Sequence, residues 1–303
     1  MLAIVIPYYK KNFFKDTLDS LANQTDKRFN LYVGNDASPE DPLEIIEEFR
    51  RKIGKVVYKK FEFNLGGRSL TRQWERCLEM VEDEKWVMIL GDDDLLSENV
   101  VEEFHNQLSD IDHSEVNVIR FATREINDQG IIISKEYHHP KLQDYSDSFY
   151  ERFFNRSRSS LSEHIFSRTQ FEKYGFRNLP LAWHSDDLAW LEFSEFGKIY
   201  TINKAFVYFR LSQINISRHG YRLEEKRNGR FLFFTIVVNE YIGNFKKEHI
   251  HNILKRYELM TYSLNKGNVV FYKRFFPLIM KYFGVWESLK FTRRILLNYG
   301  RDK

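Results

Sequence analysis

The sequence predicts an α/β fold, a mostly parallel sheet flanked by helices, followed by a helical extension at the C-terminus. In the first 125 residues, short apolar runs alternate with amphipathic helical patterns, as they do in βαβ units. From residue 224 onward the pattern is helical throughout. The 303 residues, 43% of them hydrophobic, are enough to bury a sizeable core. We therefore expect an α/β domain over residues 1–220 and a helical extension over residues 221–303.

Five strands are predicted in the first part of the chain, each ending near Gly, Asn, Asp or Pro. They cover residues 2–6, 30–34, 56–63, 86–90 and 116–122. The clearest helix covers residues 68–81, where apolar side chains recur on one face. Cys77 belongs to that face, so we interpret it as core filler rather than a reactive thiol.

Residues 128–168 mix charged and aromatic side chains without a clear period, which predicts a loop-rich segment that covers a site. Regular patterns return after it. Residues 186–196 have the pattern of a helix, and residues 198–202 and 205–209 have the pattern of two strands.

The composition and the start of the chain indicate the cellular compartment of the protein. The single cysteine excludes an internal disulfide, and no Cys/His spacing of the zinc type is present. The apolar opening of the chain meets Pro7 at once, so we interpret it as a strand rather than a signal peptide. No apolar run approaches the roughly 20 residues that a membrane-spanning helix needs. We expect a cytoplasmic protein, with peripheral contact at the inner face of the membrane as an open alternative.

The C-terminal tail is basic and aromatic. From Lys266 onward the chain contains nine Lys or Arg and two Asp or Glu, interleaved with aromatic residues. Such apolar residues pack on their own domain or on a partner subunit in a homo-oligomer, whereas a basic amphipathic face also lies on anionic lipid. Both explanations stay open. Nucleic-acid binding is not expected, because no RNA- or DNA-binding signature accompanies the basic residues.

Polar residues follow four of the predicted strands. They are Pro7-Tyr8-Tyr9, Asn35-Asp36-Ala37-Ser38, Asn64-Leu65-Gly66-Gly67-Arg68 and Gly91-Asp92-Asp93-Asp94. Because ligands of open parallel sheets bind beyond the carboxyl ends of the strands, we expect these four loops to form one crevice.

The run Asp92-Asp93-Asp94 places three carboxylates side by side after a buried strand. Their mutual repulsion is relieved by a cation or by full solvation. Oxygen ligands of this kind suit Mn²⁺ or Mg²⁺, which complete their shell with phosphates and water. The run therefore predicts a divalent metal and a diphosphate ligand. The alternative is a solvated turn that caps the helix beginning near Ser97.

Two further side chains belong to the same crevice. Asp36 can accept a hydrogen bond from a base or a ribose hydroxyl, and its alternative is to cap the turn before Pro42. Arg72 lies one turn into the helix after Gly66, where it can pair with a phosphate or lie on the helix surface.

Together these residues resemble the successive motifs of family 2 glycosyltransferases, in both order and spacing, over residues 1 to about 220. The resemblance implies a GT-A fold with a Rossmann-like sheet. It also implies a nucleotide-diphosphate sugar as donor, with UDP-sugars favoured, and Mn²⁺ or Mg²⁺ as cofactor.

The resemblance assigns roles to individual residues. Those of the nucleotide-sugar site are Pro7, Tyr8, Tyr9, Asp36, Asn64, Gly66, Arg72 and Asp92. Among them, Asp36 is implied to contact the base and Asp92 to lie near the ribose. Asp93 and Asp94 are implied to hold the metal. Many relatives carry an acidic residue where this chain has Gly91.

A further resemblance lies downstream. His184-Ser185-Asp186-Asp187 is similar to the family's Glu-Asp region, with Ser185 in place of Glu. It implies that Asp186 is the catalytic base, with Asp187 as the competing residue, and helix capping is the alternative. Tyr208-Phe209-Arg210 and Ser217-Arg218-His219 resemble the segment that closes such sites. There Arg210 would contact the diphosphate or the acceptor.

The implied activity is the inverting transfer of a hexosyl or N-acetylhexosaminyl group to a hydroxyl of a glycan or lipid-linked glycan, in surface polysaccharide assembly. A base is needed because the attacking hydroxyl must lose its proton. A non-catalytic nucleotide-binding scaffold is the alternative from another class. Leu95 and Leu96 break the Asp-x-Asp-x-Thr pattern of a phosphotransferase, and neither a dinucleotide-binding nor a P-loop glycine motif is present.

Overall fold

The computed structural model describes residues 1–155, 157–213, 215, 220, 222–264, 267 and 269–299. The chain divides into two compact units, Met1–Gly229 and Arg230–Lys303. The first unit contains the sheet, and the second is helical.

The strands of the first unit are β1 (Leu2–Tyr8), β2 (Phe29–Asn35), β3 (Val56–Lys60), β4 (Trp86–Ile89), β5 (Leu95–Leu96), β6 (Val118–Ile126), β7 (Leu142–Asp144), β8 (His164–Ser167) and β9 (Lys198–Arg210). Within the described residues they form one mixed sheet in the order β3-β2-β1-β4-β8-β6-β9-β5, and β7 pairs with β9. The five strands predicted from the sequence are all present, and β1, β2 and β6 extend beyond their predicted ends.

The helices of the first unit are α1 (Phe14–Ala22), α2 (Leu43–Ile53), α3 (Leu70–Leu78), α4 (Val100–His113), α5 (Tyr145–Phe154), α6 (Arg168–Tyr174) and α7 (Ser185–Phe193). A further helix, α8 (Leu223–Ile236), runs across the boundary of the two units. Most of them follow a strand and precede the next one, which is the alternation that the sequence predicts.

Strands β3, β2, β1 and β4 form the parallel half of the sheet. Residues 2–6 of β1 are all fully buried, and because successive side chains point to opposite faces, both faces of this strand are covered. This explains why the strand is apolar throughout instead of alternating. Its polar neighbours Asn35 and Asp36 come only where β2 ends, at the carboxyl edge of the sheet.

Strand β8 lies between β4 and β6 and is antiparallel to both. Together with α5, it occupies the segment for which the sequence predicted loops, so that prediction is wrong there. The reason is that β8 is only four residues long and buried on both faces, and it therefore has no period to detect. The loop before β8 reaches the carboxyl end of β4, where Ser162 contacts the acidic run.

Strand β9 is continuous over 13 residues, where the sequence predicted two shorter strands. Its pairing with β6 shifts register between Phe121 and Ala122, which keeps the polar pair Asn203 and Lys204 within the strand. The strand carries Arg210 to the same edge of the sheet as the acidic run.

The second unit consists of the end of α8, a π-helical turn (Val237–Tyr241), α9 (Lys247–Ser263) and α10 (Val269–Tyr299). Gly284, with φ of +79°, divides α10 into two helical stretches. The core of this unit is aromatic: Phe271, Phe275 and Phe291 are buried, and the first two pack against Tyr257. Among the described residues, no helix combines the length and the apolar character needed to cross a membrane.

Candidate active site

A cleft of about 470 Å³ lies at the carboxyl ends of β1 and β4. It collects six of the predicted site residues: Pro7, Asp92, Asp93, Asp94, Asp186 and Asp187. Leu70 and Trp74 of α3 add an apolar wall, and Arg152 of α5 adds a basic one. The cleft therefore contains two groups of carboxylates, one from the end of β4 and the other from the start of α7.

Asp92 connects two of the strand-end loops. Its Oδ2 accepts hydrogen bonds from the backbone N–H groups of Tyr9 and Lys10, both at 2.8 Å. Burial raises the pKa of Asp92, although these two N–H groups oppose that effect. The carboxylate thus fixes the loop after β4 against the loop after β1.

Asp94 is buried and has both oxygens engaged by the protein. Its Oδ1 accepts the backbone N–H of Arg210 at 2.9 Å, and its Oδ2 accepts the Ser162 hydroxyl at 2.5 Å. Burial raises the pKa of Asp94 to about 6. These contacts give Asp94 a role in shaping the loop, and they leave it less available to a metal than the sequence led us to expect.

Asp93 is half-buried, and no residue in the described part of the chain donates a hydrogen bond to its side-chain carboxylate. Burial, together with the charges of Asp94 and Asp92, raises its pKa well above the ordinary value. A carboxylate in this position is stabilised by a cation, and its oxygens suit a hard divalent metal. These oxygen donors therefore fit Mn²⁺ or Mg²⁺.

Gly91 stands where many related motifs have an acidic residue, and the carboxylates that follow it fill the space beside it. A Cβ atom added at Gly91 would lie 2.9 Å from Asp94 Oδ2 and 3.1 Å from Asp93 Oδ1. The two carboxylates therefore occupy the space that a side chain at position 91 would need.

Arg210 lies beneath the acidic loop and does not line the cleft. Its guanidinium is fully buried and donates to Asp93 O at 2.9 Å, and to Asn127 O and Asp128 O at 3.1 and 3.0 Å. It also pairs with Asp16 Oδ2 at 3.0 Å. The expectation that Arg210 contacts the diphosphate or the acceptor is therefore corrected, because all three of its nitrogens have partners inside the protein.

Asp36 holds the loop after β3. Its two oxygens accept the backbone N–H groups of Leu65 and Gly66 at 2.7 and 2.8 Å. The cation beside it is Arg76, whose Nη2 lies 2.6 Å from Asp36 Oδ1. Arg72, which the sequence favoured, is exposed one turn earlier on α3 and does not line the cleft. A Cβ atom at Gly66 would lie only 2.6 Å from Asp36 Oδ2, so a side chain there would displace the Asp36 carboxylate.

The other predicted nucleotide-sugar residues are divided between core and surface. Tyr8 is fully buried and donates its hydroxyl to Glu40 O at 2.7 Å, and burial raises its pKa to about 12. Tyr9 is exposed at the rim, and Asn64 accepts the N–H of Gly67 at 2.6 Å. None of Tyr8, Tyr9 and Asn64 lines the cleft, whereas Pro7 does. Ser217-Arg218-His219 lies outside the described residues.

Asp186 and Asp187 differ in their surroundings. Asp187 is buried, and its Oδ2 is 2.7 Å from His184 Nδ1 while its Oδ1 is 3.5 Å from Arg152 Nε. Burial alone would raise the pKa of Asp187, but Arg152 and the hydrogen bond with His184 bring it below the ordinary value. Asp186 is half-buried and lines the cleft, and no side chain among the described residues donates a hydrogen bond to its carboxylate. Burial and the charge of Asp187 raise its pKa to about 8, although the backbone N–H of Asp187 opposes that effect.

The sequence matches the description "Glycosyl transferase family 2" over residues 3–175. The chain belongs to this family of glycosyltransferases.

Solved structures agree with the assignment. TarS 1–349 of S. aureus, in complex with UDP-GlcNAc, is 16% identical; the match covers 93% of this chain and 80% of that one, with a TM-score of 0.65. The UDP complex of the same protein is also 16% identical; the match covers 86% of this chain and 72% of that one, with a TM-score of 0.61. GalNAc-T7 with UDP, GalNAc and Mn²⁺ is 12% identical; the match covers 91% of this chain and 54% of that one, with a TM-score of 0.56. Comparison with curated protein sequences gives no match. The GT-A fold predicted from the sequence is thereby confirmed.

The loop before α7 has an unusual backbone conformation. Leu181, Ala182 and His184 have φ values of +57°, +52° and +69°, a left-handed conformation that is uncommon outside glycine. Lys226 of α8 lies 4.5 Å above the ring of Trp183 in the same loop. This strained loop presents Asp186 to the cleft and turns the His184 ring toward Asp187.

Sequence reasoning missed four residues of the glycosyltransferase site: Arg76, Arg152, Arg158 and Ser162. The last three come from the segment that was expected to be loop-rich, where no period or motif marks them. For Arg76 a signal existed, because it lies on the same face of α3 as Arg72, four residues later.

Proposed function

We propose that this chain is an inverting glycosyltransferase that moves a hexosyl or N-acetylhexosaminyl group from a nucleotide-diphosphate donor, with a UDP-sugar favoured, to an acceptor hydroxyl. The observation that carries the proposal is a pair of carboxylates in one cleft. Asp93 and Asp186 both line the cleft, and within the described chain no side chain donates a hydrogen bond to either carboxylate. Asp93 is suited to bind a cation, and Asp186 is suited to accept a proton.

The donor end of the cleft is formed by Pro7, Leu70 and Trp74 together with the acidic run. The apolar residues suit the nucleoside, and Asp36 keeps the Leu65-Gly66 loop in place beside it. Asp93 would hold Mn²⁺ or Mg²⁺, with Asp92 and Asp94 fixing its loop. When bound, such a metal neutralises charge that develops on the leaving diphosphate.

The acceptor end is formed by the start of α7. Asp186 accepts the proton of the acceptor hydroxyl as the hydroxyl oxygen attacks the anomeric carbon, and the bond to the diphosphate breaks on the opposite face. Its raised pKa makes it a stronger base than an ordinary carboxylate. Asp187 does not serve as the base, because Arg152 and His184 already bind it.

The acceptor is proposed to be a glycan or lipid-linked glycan, in surface polysaccharide assembly at the cytoplasmic face of a membrane. The helical unit supports peripheral contact: Val285, Trp286 and Leu289 are 64%, 71% and 57% exposed on the stretch of α10 after Gly284. Lys281 and Arg293 are exposed on the same helix. Exposed apolar side chains beside basic ones suit the surface of an anionic bilayer. Self-association through this face in a homo-oligomer is the competing proposal.

Calorimetry with nucleoside diphosphates tests the function. We expect UDP to bind the wild-type protein in the presence of Mn²⁺ or Mg²⁺ and to lose most of its affinity with a chelator or in Asp93→Ala. Asp83→Ala, which removes an exposed carboxylate of the first unit, is the matched control and should bind as wild type does. Binding without turnover of any UDP-sugar would indicate a scaffold, and absence of nucleotide binding would refute the proposal.

A further inference from the structure

Arg152 and Arg158 form a basic wall in the same cleft. Arg152 belongs to α5, and Arg158 belongs to the loop between α5 and β8. Both line the cleft together with Ser159 and Ser160. These side chains present guanidinium and hydroxyl donors, a set that suits phosphate or carboxylate oxygens.

The guanidinium of Arg158 is held rigidly. Its Nη1 is 3.2 Å from Glu125 Oε1, its Nη2 is 3.2 Å from Ser160 Oγ, and its Cζ is 4.0 Å from the centre of the Phe209 ring. Its Nε is buried and has no hydrogen-bond partner among the described residues. Arg158 therefore brings its positive charge to the cleft with one N–H group that no described protein atom uses.

Arg152 lies next to the proposed base. Its Nε pairs with Asp187 Oδ1 at 3.5 Å, and its Nη1 donates to Ser157 O at 3.5 Å, so the protein holds this guanidinium at the cleft surface. Asp187 directly follows Asp186 in α7, so this guanidinium lies at the acceptor end of the cleft.

A second, smaller cavity of about 20 Å³ continues the basic wall. Arg152, Arg158, Ser159 and Asp187 line both cavities, and Arg120 lines the smaller one. Arg120 is 2% exposed and hydrogen-bonded to neutral side chains, and its Nε too is without a partner in the described chain. The positive charge behind the wall is therefore not neutralised by a carboxylate in direct contact.

We propose that Arg152 and Arg158 bind an anionic group of the acceptor, a phosphate or a carboxylate, beside the hydroxyl that Asp186 deprotonates. The inference rests on the proposed function and names its acceptor class. The donor diphosphate is assigned to the other end, where Asp93 and its metal supply the positive charge. The wall therefore selects a charged acceptor over a neutral one.

Calorimetry on the wild-type protein saturated with UDP and Mn²⁺ tests the proposal, with glycerol 3-phosphate and glucuronate as charged probes and glycerol and glucose as neutral ones. We expect one charged probe to bind about tenfold or more tightly than its neutral counterpart, and the advantage to fall as salt increases. Arg158→Gln should abolish that advantage and Arg158→Lys should retain part of it. Arg51→Gln, an exposed arginine of α2, is the matched control.

The affinity of each variant for UDP separates the outcomes and also reports that the variant is folded. Unchanged UDP binding with a lost charge preference supports the proposal. Equal binding of charged and neutral probes to the wild type refutes it and leaves the transferase intact. Loss of UDP affinity in Arg158→Gln would assign this arginine to the diphosphate. If the wild type prefers UDP-glucuronate to UDP-glucose and Arg158→Gln does not, the anionic group belongs to the donor sugar. Both results would overturn the acceptor assignment, whereas failure of the wild type to bind UDP would refute the proposed function itself.

Discussion

The pH dependence of transfer gives the sharpest test of the assignment of Asp186 as the base. Burial and the neighbouring charge of Asp187 raise its pKa to about 8. A base acts in its deprotonated form, so kcat/KM should fall about tenfold for each pH unit below that value and level off above it. Asp186→Asn should lose about 10²–10⁴-fold in activity, the usual contribution of a general base, and should lose the slope as well.

Asp187 provides the second arm of the same experiment. Asp187→Asn removes a negative charge beside Asp186 and leaves the positive charge of Arg152, and both changes favour the deprotonated base. The profile should therefore move to lower pH by about one unit or more, with a smaller loss of activity than in Asp186→Asn.

The assay is UDP release at saturating Mg²⁺ between about pH 5.5 and 9, with product stereochemistry determined by NMR. Asp83→Asn is the control for the loss of a surface carboxylate. A flat profile, or a profile that Asp187→Asn leaves in place, would refute the electrostatic reasoning. A loss of activity larger in Asp187→Asn than in Asp186→Asn would exchange their roles.

Three further predictions follow from single contacts. Gly91→Ala should weaken Mn²⁺ binding at least several-fold in calorimetry, because its Cβ would lie within about 3 Å of the Asp93 and Asp94 carboxylates; unchanged affinity would contradict the close packing. Arg210→Met should lower the free energy of unfolding in urea by about 1–3 kcal/mol, because three partly buried carbonyl oxygens lose a fully buried donor, and a variant as stable as wild type would contradict its structural role. Trp286→Ser should reduce sedimentation with phosphatidylglycerol vesicles without changing activity on a short soluble acceptor, with Leu259→Ser, at another exposed apolar residue of the helical unit, as control; unchanged sedimentation would favour self-association of this face, measured by analytical ultracentrifugation.

The parallel half of the sheet and the acidic run could be predicted because their signals are local. Strand β1 is apolar at every position from 2 to 6, and Asp92-Asp93-Asp94 follows a similar buried run in β4. The different contacts of the three carboxylates could not be predicted. It depends on Ser162 and Arg210, which are 68 and 116 positions from Asp94.

The arginines show the same limit of prediction from sequence. The residue type does not reveal whether a guanidinium points at a ligand, stabilises a loop or remains on the surface. Arg72 and Arg76 lie on one face of α3, yet only Arg76 reaches Asp36. Arg210 is buried beneath the acidic run, while Arg158 lines the cleft. Each of these outcomes is decided by tertiary contacts.

The left-handed loop before α7 links activity to conformational stability. Three non-glycine residues, Leu181, Ala182 and His184, hold a backbone geometry that disfavours L-residues by roughly 1 kcal/mol each. Replacing Ala182 with glycine would relieve part of that strain and make the folded enzyme more stable, but the segment that aims Asp186 would then sample more orientations. Selection for heat resistance alone should therefore enrich glycine in this loop and yield enzymes that survive longer and turn over more slowly.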